Sequence, residues 1–301
     1  MSMNFYILDV FAPKILAGNQ LAVFPNATDI PRSRFAQLAR EMNYSETTFV
    51  LPAKSPEAAA AVRIFTPHTE LPFAGHPTLG TAFLLSAIGL AKPAKSDNTI
   101  TLELKAGLVR VAVETKDNQR GRAVMEQPVP QSRGLYTDTA MVAASLCLNP
   151  EDIAAYPPEM MANAIAFLIV PLKSMRALER AKPNGALIES LLTRVNVEGL
   201  ICFTTETVEA GSQAQMRAFF PTIGINEDPA TGSAQGPLAT YFFKHGLLKR
   251  GTKNRLVVEQ GYQIGRPSKL TTSFEVSEGV ITSIKVGGDV MLVAKGEFLI
   301  S

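Results

Sequence analysis

The chain has 301 residues, 46% hydrophobic and 19% charged, with a formal net charge of +2. That composition excludes a disordered chain and supplies apolar surface for two domains of ordinary size or one large one. Lysines and arginines are scattered, with no basic run flanked by aromatics, which speaks against nucleic acid as a partner.

The N-terminal stretch "MSMNFYILDVFAPKIL" lacks the basic region and small-residue cleavage site of a secretory signal. Strands are predicted at Asn4–Val10, Ala22–Phe24, Thr47–Leu51, Val62–Phe65, Ile100–Leu104 and Leu108–Glu114, where β-branched or alternating runs lie between Gly, Pro, Asn and Lys. Helices are predicted at Pro31–Met42, with Asp29 as cap and Pro31 in the first turn, and at His76–Ile88. The second of these is apolar nearly all round, so it should be buried inside its half. The Pro-rich stretch "MEQPVPQSRG" (residues 125–134) reads as a linker, which divides the chain into residues 1–127 and 128–289. The last strand, Val290–Leu299, is expected to return to the first half. The longest apolar stretches, "GTAFLLSAIGLA" and "AIAFLIVPL", are too short to span a bilayer, so the expectation is a cytoplasmic protein without a membrane partner.

Two segments repeat one pattern. "RIFTPHTELPFAGHPTLG" from Arg63 and "RAFFPTIGINEDPATGSAQG" from Arg217 both open Arg-x-Phe-x-Pro. Both continue with Glu-x-Pro-x-x-Gly: Glu70, Pro72, Gly75 and Glu227, Pro229, Gly232. Upstream, "FAQLAREMNYSETTFVL" from Phe35 aligns with "IESLLTRVNVEGLICFT" from Ile188 at an offset of 153. Helix, Asn (Asn43 or Asn196), strand, glycine turn and apolar helix recur in the same order. Repeats decide architecture, and this one predicts an α+β chain of two pseudo-symmetric halves, each a mixed sheet wrapped around one apolar helix.

The glycine turns carry the chemistry. Gly75 lets the chain turn sharply, and Pro77 fits the first turn of a helix, whose free amides and partial positive charge attract carboxylate or phosphate. Thr231-Gly232-Ser233-Ala234 offers a second such end, with Ser233 as candidate cap. If the halves pack about a pseudo-two-fold axis, the two ends converge on one small anion. Glu46 lies where the polar loop "NYSE" enters an apolar strand. Partial desolvation there would raise its pKa and suit it to acid–base work. Its counterpart at the same offset is Gly199, and that of Asp228 is Leu71, so each carboxylate occurs on one side only. His76, at a helix N-terminus, should stay neutral and hydrogen-bond a substrate. His68 and His245 lack such a setting. No His-x-x-x-His pair, dinucleotide fingerprint, P-loop or Gly-x-Ser-x-Gly elbow is present, so no metal set, nucleotide motif or α/β-hydrolase is read from the residues. Two cysteines, Cys147 and Cys202, make neither a disulfide framework nor a zinc set and read as core residues.

The segments "DVFAPKILAGNQLAVF", "SETTFV", "FTPHTELPFAGHPTLG" and "EDPATGSAQGPLATYF" closely resemble the phenazine-biosynthesis isomerase (PhzF-like) family over nearly the whole length. The resemblance implies the diaminopimelate-epimerase-like fold, with barrel-like halves around central helices and a site between them. It further implies a cofactor-independent isomerase of a small carboxylate substrate, commonly a homodimer. It assigns the acid–base role to Glu46, substrate positioning to His76, Asp228 and Ser233, carboxylate-binding amides to Gly75 and Gly232, and part of the pocket wall to Asn19 and Gln20. Thiol racemases on this fold carry a cysteine before each glycine, where this chain has Ala74 and Thr231. A single-carboxylate allylic proton shift therefore fits better than two-thiol epimerisation. A two-base epimerase using Asp228, or a non-catalytic anion binder, are the alternatives.

Overall fold

The computed structural model describes residues 2–248 and 254–299. They fall into two compact units, Met1–Glu126 with Gly287–Ser301, and Gln127–Val286.

The first unit runs β1 (Ser2–Val10), β2 (Asn19–Phe24), α1 (Phe35–Met42), β3 (Glu46–Leu51), β4 (Ala60–Phe65), β5 (Glu70–Leu71), α2 (Gly75–Ala87), β6 (Thr99–Leu104), β7 (Gly107–Asp117) and β8 (Arg120–Gln127). β2 and β3 pair in parallel, Leu21 opposite Glu46, and β4 pairs in parallel with β6. The pairs β1–β2, β3–β4, β4–β5, β6–β7 and β7–β8 are antiparallel. The predicted strands are all present, each of them a residue or more longer.

The helix predicted at Pro31–Met42 is shorter. Arg32–Arg34 form a 3-10 turn and the α-helix starts at Phe35, with no side-chain cap at either start, so Asp29 does not cap it. Helix α1 lays Phe35, Leu38 and Ala39 into an aromatic cluster with Phe24, Phe49 and Phe65. Phe35 stacks on Phe49 with ring centroids 4.1 Å apart. Helix α2 follows its sequence pattern: every residue from Gly75 to Leu85 is buried. It touches β1, β2, β3, β6 and β7. Burying Leu79, Phe83, Leu84 and Leu85 almost completely contributes roughly 1.5–3 kcal/mol each.

The second unit runs β9 (Gln131–Leu135), α3 (Thr139–Ser145), β10 (Glu159–Ala162), β11 (Ala166–Pro171), α4 (Met175–Arg180), α5 (Gly185–Val195), β12 (Gly199–Thr204), β13 (Ala214–Phe220), β14 (Ile225–Asp228), α6 (Gln235–Lys244), β15 (Arg255–Gln260) and β16 (Ser268–Ser277). Helices α3, α4 and α5 pack in one apolar cluster against β11 and β12. Helix α6 packs against β10 and β16.

The last strand, β17 (Val280–Leu299), returns to the first unit. It pairs antiparallel with β1 from Val10 opposite Val290 to Ser2 opposite Leu299, and it also pairs with β8. β1, β2, β3, β4, β6, β7, β8 and β17 thereby close an eight-stranded barrel around α2.

The repeat read from sequence is a repeat of pairings. Parallel β2–β3 corresponds to parallel β11–β12, antiparallel β3–β4 to β12–β13, parallel β4–β6 to β13–β15, and antiparallel β6–β7 to β15–β16. Asn43 and Asn196 end α1 and α5 in the same left-handed conformation, each at φ 52°. Asn tolerates that region better than other non-glycine residues, which explains why it recurs at an offset of 153.

One core assignment needs correction. Cys202 is buried, but Cys147 is exposed. Cys147 sits at φ 53°, just past the end of α3. Its neighbours Leu146 and Leu148 are buried, and the left-handed residue between them leaves its thiol exposed.

Candidate active site

In the first unit, β2, β3 and α2 carry five of the predicted residues. Glu46 is the first residue of β3 and is only 8% exposed. Asn19 and Gln20 open β2, and Asn19 is fully buried. Gly75 and His76 open α2, preceded by Ala74 in an extended conformation that offers no side-chain cap. His76 Nε2 lies 3.3 Å from the carbonyl oxygen of Gln20 and 3.5 Å from Oε2 of Glu46. Burial pushes the His76 pKa down to about 3, against the opposing effect of the Gln20 carbonyl. The imidazole is therefore neutral near pH 7. Both neighbours of Nε2 are acceptors, so Nε2 carries the proton whenever Glu46 is ionised. The neutrality expected from the helix dipole is present, with desolvation as its main cause. Gln20 contributes its backbone oxygen to His76, where the sequence suggested only a pocket wall.

In the second unit, β14 leads into the other glycine turn. Asp228 ends β14 and is buried; its Oδ2 accepts a 2.7 Å hydrogen bond from the Thr231 hydroxyl. Gly232 and Ser233 lie in a 3-10 turn, Gly232–Ala234, that precedes α6. Ser233 is thus inside the turn and does not cap the helix; neither Thr231 nor Ala234 makes a side-chain cap.

Three glutamines that the sequence reading passed over hold this turn. Gln260 donates to the Asp228 carbonyl (2.7 Å) and to Thr231 Oγ1 (2.9 Å), and its own Oε1 accepts from the Thr231 amide (2.8 Å). Gln127 donates to the Gly232 carbonyl (3.0 Å), and Gln235 to the Thr231 carbonyl (3.4 Å). The available signal was a polar pair, Glu259-Gln260, at the end of an otherwise apolar strand. Gly261 follows at φ 80°, where a Cβ would strike the carbonyl oxygens of Pro229 and Arg266. Only glycine lets β15 end this close to the turn.

The paired motifs also turn out to be ion pairs. Arg217 Nε and Nη2 bind Glu227 at 2.9 and 2.7 Å, and Arg63 Nε binds Glu70, which Lys105 also reaches at 2.7 Å. Each arginine also lies over the phenylalanine two residues on, at 5.5 Å (Arg63–Phe65) and 5.2 Å (Arg217–Phe219). These pairs tie β4 to β5 and β13 to β14, the ribbons that lead to the glycine turns.

The asymmetry of the carboxylates has a steric basis on one side. At Gly199, the counterpart of Glu46, a Cβ would run into the ring of Phe220. Leu71 and Asp228 occupy equivalent register positions, opposite Ile64 and Ala218. Of the other histidines, His245 Nε2 is 2.8 Å from the buried carboxylate of Glu159, and the backbone amide of His68 bonds Thr66 Oγ1. Among the described residues no group of three or more His, Cys, Asp or Glu is arranged to hold a metal ion, and no helix is long and apolar enough to cross a membrane.

The family described as phenazine biosynthesis-like protein (PhzC-PhzF) matches residues 8–296. The chain belongs to the phenazine biosynthesis-like family. Its enzyme class is that of its relatives, isomerase. A trans-2,3-dihydro-3-hydroxyanthranilate isomerase of Pseudomonas fluorescens is 35% identical over 298 residues, 99% of each chain. A phenazine biosynthesis protein of the PhzF family from Bacillus anthracis has a TM-score of 0.88 at 26% identity, covering 100% of both chains. A hydroxyproline epimerase from Agrobacterium vitis shares the fold alone, with a TM-score of 0.64 at 14% identity, over 99% of this chain and 91% of that one. The fold is accordingly the diaminopimelate-epimerase-like one.

Proposed function

We propose that this isomerase moves a proton within a small carboxylate substrate, with Glu46 as the one acid–base group. The observation that carries the reading is the buried Glu46 beside a neutral His76. A buried carboxylate is poorly hydrated and can approach a C–H bond directly. Glu46 takes a proton from an allylic carbon; the C–H electron pair forms a new double bond, the old double bond shifts, and the carboxylic acid returns the proton to the far carbon. Atoms and electrons balance with no redox partner. His76 donates from Nε2 toward the carboxylate and holds its orientation.

The amides of Gly75 and His76, at the start of α2, are proposed to bind a substrate carboxylate, with Asn19 and Gln20 beside them. Asp228, Gly232 and Ser233 are proposed as substrate-positioning groups on the second turn. The substrate class is supported by the 35% identity to trans-2,3-dihydro-3-hydroxyanthranilate isomerase, and a homodimer by the family resemblance.

Offering the protein that dihydroaromatic acid and a panel of related unsaturated carboxylates tests the proposal. Migration of a double bond, lost in Glu46→Gln, is the expected result. Inversion of a stereocentre with no bond migration would favour two-base epimerisation and refute the reading.

A further inference from the structure

The two arginines of the repeated motif have different surroundings. In the second unit Arg217 Nη1 donates to the carbonyl oxygens of Leu178 and Ala181, at 3.0 and 2.6 Å, in the last turn of α4 and just after it. That helix lies in the connection from β11 to α5. The corresponding connection in the first unit, from β2 to α1, is shorter and holds only the 3-10 turn Arg32–Arg34. The backbone marks the equivalence: the Ala27 amide bonds the Val50 carbonyl, as the Leu172 amide bonds that of Phe203, and 50 and 203 differ by the repeat offset.

Where α4 would sit, the first unit has a cavity of about 530 Å³, lined in part by Thr28, Arg32, Lys54, Arg63, Glu103 and Lys105. The Arg63 side chain is 23% exposed, against 6% for Arg217. Among the described residues the Nη groups of Arg63 take no protein acceptor; its hydrogen bond is from Nε to Glu70. Four cations therefore face two carboxylates. Glu103 is held by the amides of Lys54 and Ser55, at 2.7 and 2.9 Å, and Glu70 by Arg63 and Lys105. A net positive charge remains, in a concavity at the place where, within the second unit, the α4 carbonyls accept from the equivalent arginine, Arg217.

We propose that this cavity of the first unit binds a small multivalent oxyanion, a phosphate- or carboxylate-bearing metabolite whose oxygens take the place of the α4 carbonyls. Guanidinium groups suit such planar or tetrahedral oxyanions because their fixed N–H fork matches two oxygens at once. The site is independent of the proton shift proposed above, since none of the residues assigned to that shift lines it.

Calorimetry on the full chain, with sodium pyrophosphate and separately with citrate at constant ionic strength, tests this. The expected result is saturable 1:1 binding of at least one of them. In Arg32→Ala/Lys54→Ala that binding weakens at least about tenfold, while the melting temperature without anion is unchanged. Pyrophosphate alone would mark the phosphate class and citrate alone the polycarboxylate class. Absence of saturable binding, or equal affinity in the double variant, overturns the proposal.

Discussion

His76 Nε2 stands 3.5 Å from Glu46 Oε2, and both residues are almost entirely buried. The pair is a neutral imidazole beside a carboxyl group, because burial drives the His76 pKa down to about 3. From this follows a dependence of stability on pH.

Below pH 6.5 the unfolded chain protonates this histidine and the folded chain does not. The His76 contribution is thus complete above pH 6.5 and is lost as pH falls toward 3, at about 1.4 kcal/mol per pH unit within that window. Urea unfolding of the wild type and of His76→Gln between pH 7 and pH 4.5 measures it. The stability difference between them should shift steadily against the wild type on acidification, and Glu46 is the titratable neighbour left in the subtraction. Parallel curves would contradict the assignment.

The two motif arginines should differ in their contribution to stability. Arg217 and Glu227 form a buried two-point pair, so Arg217→Met, which strands the carboxylate, should cost roughly 3–5 kcal/mol. Arg63 is more exposed, and Lys105 still reaches Glu70 in its absence, so Arg63→Met should cost about 1 kcal/mol. Chemical denaturation of both variants gives the comparison; equal losses would refute the asymmetry.

Gln260 acts as a positioning residue for the second turn. Gln260→Leu leaves the Asp228 carbonyl and the Thr231 amide and hydroxyl without this partner, at a cost of at least about 2 kcal/mol. If Asp228 positions substrate, KM should rise more than kcat falls. A stability loss with unchanged KM would reduce Gln260 to a structural group.

The thiols should separate cleanly. Burial raises the Cys202 pKa to about 12, while Cys147 is exposed. Titration with a thiol reagent should count one rapid thiol in the native protein and two in denaturant. Rapid reaction of both in the native state would place Cys202 wrongly.

Much of the fold could be read from the sequence because the repeat is written in residues with strong conformational demands. The all-round apolar pattern of His76–Ile88 marks a helix buried inside its half, and the asparagines at 43 and 196 mark the duplication. The residues missed were those whose role comes from distant partners. Nothing local says that Gln260 reaches back to Asp228, or that Arg63 meets Glu70 across β4 and β5. Helix starts were misjudged where short 3-10 turns, Arg32–Arg34 and Gly232–Ala234, satisfy the first amides without a side-chain cap. Cys147 reads as a core residue in the sequence because it lies away from the glycine turns, and it is exposed in the left-handed turn after α3.

The central claim is that Glu46 carries the migrating proton. Turnover in heavy water of whichever unsaturated carboxylate the panel proposed above yields as substrate, followed by mass spectrometry, tests it most directly in wild type and Glu46→Gln. The account predicts that the newly protonated carbon of the wild-type product carries the hydrogen taken from the substrate, with deuterium entering only as far as the Glu46 carboxyl exchanges with solvent before returning it, and a rate about a hundred- to ten-thousandfold lower in the variant, with the acid still bound. Product formation by Glu46→Gln at the wild-type rate would contradict it.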